Sequence, residues 1–97
     1  MHVGTARIIL ELPENGSLKS KRRVISSLMT RVRNKFNVSI AEVDFNDSWQ
    51  QAALGLTAVS NSSRHADEVI GNVVAYIEST VEEGYVSGID REVLSGF

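Results

Sequence analysis

Residues Ser17–Asn37 read SLKSKRRVISSLMTRVRNKFN and contain seven of the ten basic residues of the chain but no acidic residue. Apolar residues recur in this stretch every three or four positions, which places them on one face of a helix. Asn15-Gly16 favours a turn before the stretch, while Ser17 is a typical N-cap and Asn37 a typical stop. The stretch is therefore predicted to be an amphipathic helix with the apolar stripe Leu18, Ile25, Leu28, Met29, Val32 and Phe36.

The basic residues of this helix are predicted to lie on both flanks of the apolar stripe. The stretch carries a charge of +7, whereas the rest of the chain has three bases against twelve acids, or −9, and the total is −2. Successive residues of a helix are rotated by about 100°. This rotation places four basic residues on one flank of the stripe, Lys19, Arg22, Arg23 and Arg33, and three on the other, Lys21, Arg31 and Lys35.

Cations near the start of a helix oppose the helix dipole, which costs about 0.3–1 kcal/mol for each. Their crowding here favours an anion-binding surface, for which free helix N–H groups are also suited. Two alternatives to an anion-binding surface remain at this point. The basic residues could form an ordinary solvated charged face, or their charge could be offset by Glu78, Glu82 and Glu83 near the end of a second helix.

The remaining segments predict four strands and this second helix. The strands are expected at His2–Leu12, Val38–Phe45, Ala52–Val59 and Tyr85–Leu94, and the second helix at Ser62–Glu82. The order βαββαβ predicts one α+β domain over residues 1–97, with the ferredoxin-like fold. Right-handed crossovers then give an antiparallel sheet of order 4-1-3-2 with both helices on one face.

Two glycines of the second half are given specific roles. Gly71 lies inside the second helix, where glycine is unfavourable, and is predicted to let another backbone approach closely. Gly84 follows that helix and is predicted to end it. The single proline, Pro13, is predicted to end the first strand.

The chain carries few signals of catalysis. It has no cysteine, so neither disulfides nor thiolate chemistry are expected, and its two histidines lack a metal-ligand spacing. Glu42, Asp44 and Asp47 gather near one turn but lack the pattern of a calcium loop. We expect no enzyme activity, no metal and no cofactor. The N-terminal stretch does not read as a secretion signal, and no run is long and apolar enough for a membrane span, while the absence of cysteine suits a reducing cytoplasm.

The sheet face away from the helices is predicted to be half apolar and uncovered. RNA-binding sheets carry aromatic residues on their central strands, and here those positions hold residues such as Val3, Arg7 and Ile9. Nucleic-acid contact is therefore expected through phosphates and the first helix. The sheet face is instead predicted to be an interface, and a homodimer is the alternative function. Trp49 is expected to cover the end of a core or join that interface, with base stacking as the second interpretation.

Three segments resemble the YlxP-like family of bacterial proteins, a domain of unknown function: SLKSKR, KFNVSIAEV and WQQAALGLTAVSN. The resemblance covers about the first two-thirds of the chain. It implies a ferredoxin-like fold and a cytoplasmic bacterial protein without established catalytic residues. Members are often encoded beside transcription and translation factors, which implies RNA or the ribosome as a partner. The candidate phosphate contacts are Lys19, Arg22, Arg23 and Arg33, supported by Lys21, Arg31 and Lys35.

Overall fold

The computed structural model describes residues 1–97. In chain order the elements are β1 (His2–Glu11), α1 (Leu18–Lys35), β2 (Ser39–Asp44), β3 (Gln51–Ser60), α2 (Ser63–Thr80) and β4 (Tyr85–Leu94). The four strands form one antiparallel sheet of order β2-β3-β1-β4. The predicted βαββαβ order and the predicted strand neighbours are therefore confirmed.

The core lies between the sheet and the two helices. Alternate residues of β1 point into it, and Ile8 and Leu10 are fully buried there. They meet Leu28 from α1 and Ile77 from α2 in one continuous apolar cluster. Because side chains alternate across a strand, the odd-numbered residues of β1 lie on the opposite face, which no helix covers.

α1 begins after its predicted cap, Ser17, and α2 begins after Ser62, the residue at which the second helix was expected to start. Ser17 Oγ accepts a hydrogen bond from Ser20 N at 3.0 Å, and Ser62 Oγ accepts one from His65 N at 3.2 Å. These bonds satisfy N–H groups that have no partner within the helix. Both helices end slightly before the predicted residues. The backbone is already extended at Phe36, where Asn37 was expected to stop α1, and α2 ends at Thr80, where Glu82 was expected. No helix of the chain has the length and apolar character needed to cross a membrane.

Gly4 and Gly84 allow two segments of the backbone to approach closely. At Gly4 a Cβ would lie 2.8 Å from Ala66 O, so this position brings α2 onto β1. A Cβ at Gly84 would collide with the carbonyl oxygen of Glu11. The roles predicted for Gly71 and Gly84 were wrong: a Cβ at Gly71 would meet the Arg91 side chain instead of backbone, and α2 ends at Thr80, well before Gly84.

Candidate nucleic-acid interface

Six of the seven cations of α1 are exposed. The chain forms four ion pairs shorter than 4.0 Å, and none of the six takes part in one. The electropositive surface expected on this helix is therefore not tied up by neighbouring carboxylates. We call these residues the basic face: Lys19, Arg22, Arg23, Arg31, Arg33 and Lys35.

Lys21 is not part of this surface, and its predicted place among the phosphate contacts was wrong. Its side chain is 0% exposed, and Nζ donates hydrogen bonds to Phe45 O at 2.7 Å and Gln51 O at 3.0 Å. Nζ also lies 3.0 Å from Glu42 Oε2, which receives no aligned hydrogen bond. This contact is therefore a Coulombic one. A nucleic acid cannot reach this ammonium group without unfolding the region around it.

The buried ammonium group ties the start of α1 to residues 45–50, the loop between β2 and β3. Phe45 has a φ of 60°, a left-handed conformation that is uncommon outside glycine. Its carbonyl oxygen accepts from Lys21, which helps to hold that conformation. Asn15 adds a second tie, because its Nδ2 donates to Ser17 O and to Trp49 O, each at 2.7 Å. The sequence interpretation assigned Asn15 only to a turn.

Two basic residues line a groove between α1 and the segment after α2. The groove has a volume of about 300 Å³, and its walls include Arg23 and Arg31 on one side and Glu82 and Glu83 on the other. No ion pair within 4.0 Å joins these groups. The acids therefore lower the positive potential of the groove without binding its guanidinium groups, and Glu78 does not line it.

The end of α1 holds two more cations in defined positions. Arg33 Nη2 donates a hydrogen bond of 2.8 Å to the carbonyl oxygen of Ile40, which lies in the edge strand β2. Lys35 Nζ lies 5.4 Å from the centre of the Tyr76 ring and 5.9 Å from that of Phe36. Such cation–aromatic contacts stabilise by about 0.5–1 kcal/mol at exposed sites. Both residues are exposed despite these contacts, and cations are favoured at a helix C-terminus.

The uncovered sheet face holds the other predicted site residues. Val3 and Ile9 are half-buried there, and Arg7 pairs with Asp44 across the face at 3.2 Å. Of the three carboxylates near the turn after β2, Glu42, Asp44 and Asp47, two form ion pairs. Asp44 pairs with Arg7, and Glu42 pairs with Lys21. Nothing in the chain itself covers this face.

Trp49 lies in the loop 45–50 and its side chain is 55% exposed. The expectation that it covers the end of a core was therefore wrong. Its carbonyl oxygen accepts from Asn15, so Trp49 sits beside the turn that precedes α1. An exposed indole beside the start of α1 is suited to contact either a base or another protein.

These features define a ferredoxin-like α+β domain with a basic helix on one side and an open sheet face on the other. A designed protein with the ferredoxin fold, LFR1 1, shares this architecture with a TM-score of 0.50 at 17% identity. The alignment covers 99% of this chain and 87% of the designed one.

The chain belongs to the family described as "Protein of unknown function (DUF503)", whose model matches residues 3–88. It is 41% identical over 80 residues to a protein of Bacillus subtilis (strain 168) described as "Uncharacterized protein YlxP". This match covers 82% of this chain and 87% of the relative. The resemblance seen in the sequence segments is confirmed.

Proposed function

We propose that this protein is a non-enzymatic factor that binds the phosphate backbone of RNA, free or in the ribosome, through the basic face of α1. One observation supports the proposal above the others. Six exposed cations share one helix, and none of them forms an ion pair. Because phosphate contacts release counterions, such a surface favours binding to a polyanion.

The spacing of the cations suits a polymer better than a single small anion. Lys19 and Arg33 lie on the same flank of α1 and are fourteen residues apart, which corresponds to about 21 Å along a helix. A surface of that length can contact several successive phosphates. The proposed role is in the cytoplasm, as the family resemblance implies.

The chemistry of the other face supports phosphate-led contact. The central strands carry Val3, Thr5, Arg7 and Ile9 on the open side, and no aromatic ring on which a base would stack. Acidic side chains also surround Arg7 there, since Asp44 pairs with it and Asp90 lies opposite in the register with β4. A polyanion is therefore favoured at α1 and disfavoured at the sheet.

Salt titration of binding to a ribosomal RNA fragment tests the proposal. Four to six phosphate contacts predict a slope of about −3 to −4 when the logarithm of the binding constant is plotted against that of salt concentration. Arg22→Ala should weaken binding and reduce the steepness of the slope by about 0.7. Arg64→Ala is the matched control, since it removes the same charge from an exposed position of α2.

Two outcomes reject the proposal. One is the absence of binding even at about 50 mM salt, where phosphate contacts are strongest. The other is an equal loss in Arg22→Ala and Arg64→Ala, because it would show that binding follows total charge and does not depend on α1.

Self-association through the sheet face is the second candidate function. It is favoured by the row of apolar side chains across three strands, in which Val59 is 66% and Leu94 is 40% exposed on either side of Val3. Sedimentation of the wild type and of Ile9→Glu decides it. A concentration-dependent dimer that Ile9→Glu dissociates would establish this function, whereas monomers throughout would reject it.

A further inference from the structure

The uncovered sheet face combines exposed apolar side chains with carboxylates. The register places Val59, Val3 and Leu94 side by side at one end. Tyr85 lies at the other end, opposite Glu11, and is 56% exposed. Rows of exposed and half-buried apolar side chains rimmed by polar residues, such as Val59, Val3 and Leu94 here, commonly mark binding sites.

The charge of this face is negative. Its ionisable side chains are one guanidinium, that of Arg7, and four carboxylates, which gives a net charge of −3. Arg7 is already paired with Asp44 at 3.2 Å. The three remaining carboxylates therefore have no cationic partner within the chain: Glu11, Asp90 and Glu92.

This charge distribution disfavours a second copy as the occupant of the face. A two-fold symmetric dimer brings the same patch of each subunit together. Two such faces would then place a charge of −3 against another −3, and like charges across an interface are a strong penalty. A cationic partner relieves the same carboxylates while it covers the same apolar row.

We propose that the open sheet face binds a cationic, amphipathic helix of another protein. The partner's apolar side would cover Val3, Val59 and Leu94, and its lysine or arginine side chains would pair with Asp90 and Glu92. The two helices of this chain already cover the opposite face of the same sheet through their apolar stripes. A helix on the open side would complete a three-layer arrangement by the same packing.

The length of the face agrees with one helix. Strands of ten residues are about 33 Å long, and four strands are about 19 Å wide. A helix is about 10 Å wide with its side chains, so one helix covers roughly half of the face, or about 330 Å² in projection, against the ~800 Å² that each partner contributes to a standard interface. A helix of about 20 residues spans the length. The inferred complex is therefore modest in size and reversible.

The inference is independent of RNA binding, because the basic face of α1 and the open sheet face lie on opposite sides of the sheet. If both hold, the protein joins an RNA to a basic protein segment. Each can fail alone. Loss of RNA binding in Arg22→Ala does not affect the prediction for the sheet face.

A synthetic peptide tests the inference. The probe is an 18-residue helix of leucine and lysine with all leucines on one side, titrated into ¹⁵N-labelled protein and followed by amide chemical shifts and calorimetry. We expect shifts in β1, β3 and β4 at Val3, Val59 and Leu94. A peptide of the same composition in scrambled order should bind at least about tenfold more weakly, because it cannot present one apolar side.

Two pairs of variants separate this site from general attraction to acids. Asp90→Asn/Glu92→Gln should weaken the probe about fivefold, since it removes two rim ion pairs. Glu82→Gln/Glu83→Gln removes the same charge beside α1 and should leave binding unchanged. Val59→Glu, at an exposed position that does not contribute to the core, should weaken the probe about tenfold or more.

The inference is overturned by any of three results. The probe fails to bind at millimolar concentration, its shifts map to α1 or α2, or the two double variants lose affinity equally. Sedimentation provides a further check. A dimer that Val59→Glu dissociates would show that a second copy occupies the face, and this too would overturn the proposed cationic partner.

Discussion

Replacing Lys21 with methionine removes one buried ammonium group and keeps most of the apolar stem. Two carbonyl oxygens, those of Phe45 and Gln51, lose their donor. Glu42 loses the only cation that pairs with it, 3.0 Å away. Removing one partner of a buried pair costs about 3–5 kcal/mol. Because the Glu42 side chain is 16% exposed and keeps some hydration, we expect a loss of about 3 kcal/mol at the low end of that range.

Urea unfolding followed by circular dichroism measures the loss. For a domain of this size, 3 kcal/mol corresponds to a fall in Tm of about 12–24 °C. The variant should remain folded at 25 °C, since domains of about 100 residues are stable by ~5–15 kcal/mol. Lys19→Met is the matched control, two residues away on the same helix but exposed, and should change stability by less than about 0.5 kcal/mol.

Removing the second charge should restore part of the loss. Lys21→Met/Glu42→Gln leaves no unpaired buried carboxylate, so we expect it to be at least ~1 kcal/mol more stable than Lys21→Met alone. The effects of Lys19→Met and Lys21→Met on RNA affinity should be the reverse of their effects on stability. Lys19→Met should weaken RNA binding, while Lys21→Met should leave the salt slope unchanged. A stability loss below ~1 kcal/mol for Lys21→Met, or equal effects of both lysines on RNA affinity, would refute the structural role assigned to Lys21.

Three further outcomes follow from the structure. Glu82→Gln/Glu83→Gln should raise RNA affinity about threefold, because these carboxylates line the groove with basic residues; an unchanged or lower affinity in filter binding contradicts this. Gly4→Ala should destabilise by about 2 kcal/mol or more in urea unfolding, since its Cβ would lie 2.8 Å from Ala66 O, and a neutral result excludes the close approach. Ser17→Ala should cost about 1 kcal/mol through the lost cap, whereas Ser17→Asp should retain stability; equal loss in both would argue against capping.

The fold was predictable because apolar periods identify each element. Alternating residues of β1 and the three- and four-residue spacing in α1 and α2 give the element order, and right-handed crossovers leave one strand order. The ends were less predictable, since hydrogen bonds beyond the last helical turn decide them. Phe36 turns extended at the end of α1, although Asn37 was the residue expected to stop it.

The sequence predicted that α1 carries a basic surface, but it did not predict correctly which basic residues are exposed on it. Lys21 precedes Ile25 by four positions and Leu28 by seven, so its spacing placed it on the buried side, and its charge alone suggested the surface. The partners that make burial tolerable are Glu42 and two carbonyl oxygens far along the chain. Contacts between distant segments leave no local pattern, and the same holds for the Asn15 bonds and for the approach at Gly4.

The near-neutral total charge does not oppose binding of a polyanion to α1. Screening limits electrostatic reach to about 8 Å at physiological ionic strength, whereas the shortest principal extent of the chain is 18 Å. A phosphate beside α1 therefore responds to the basic face and to Glu82 and Glu83, and very little to the carboxylates on the far side of the sheet. The two faces act as separate electrostatic surfaces, so the proposed binding of a polyanion at α1 and the proposed binding of a cationic helix at the sheet face would not oppose each other.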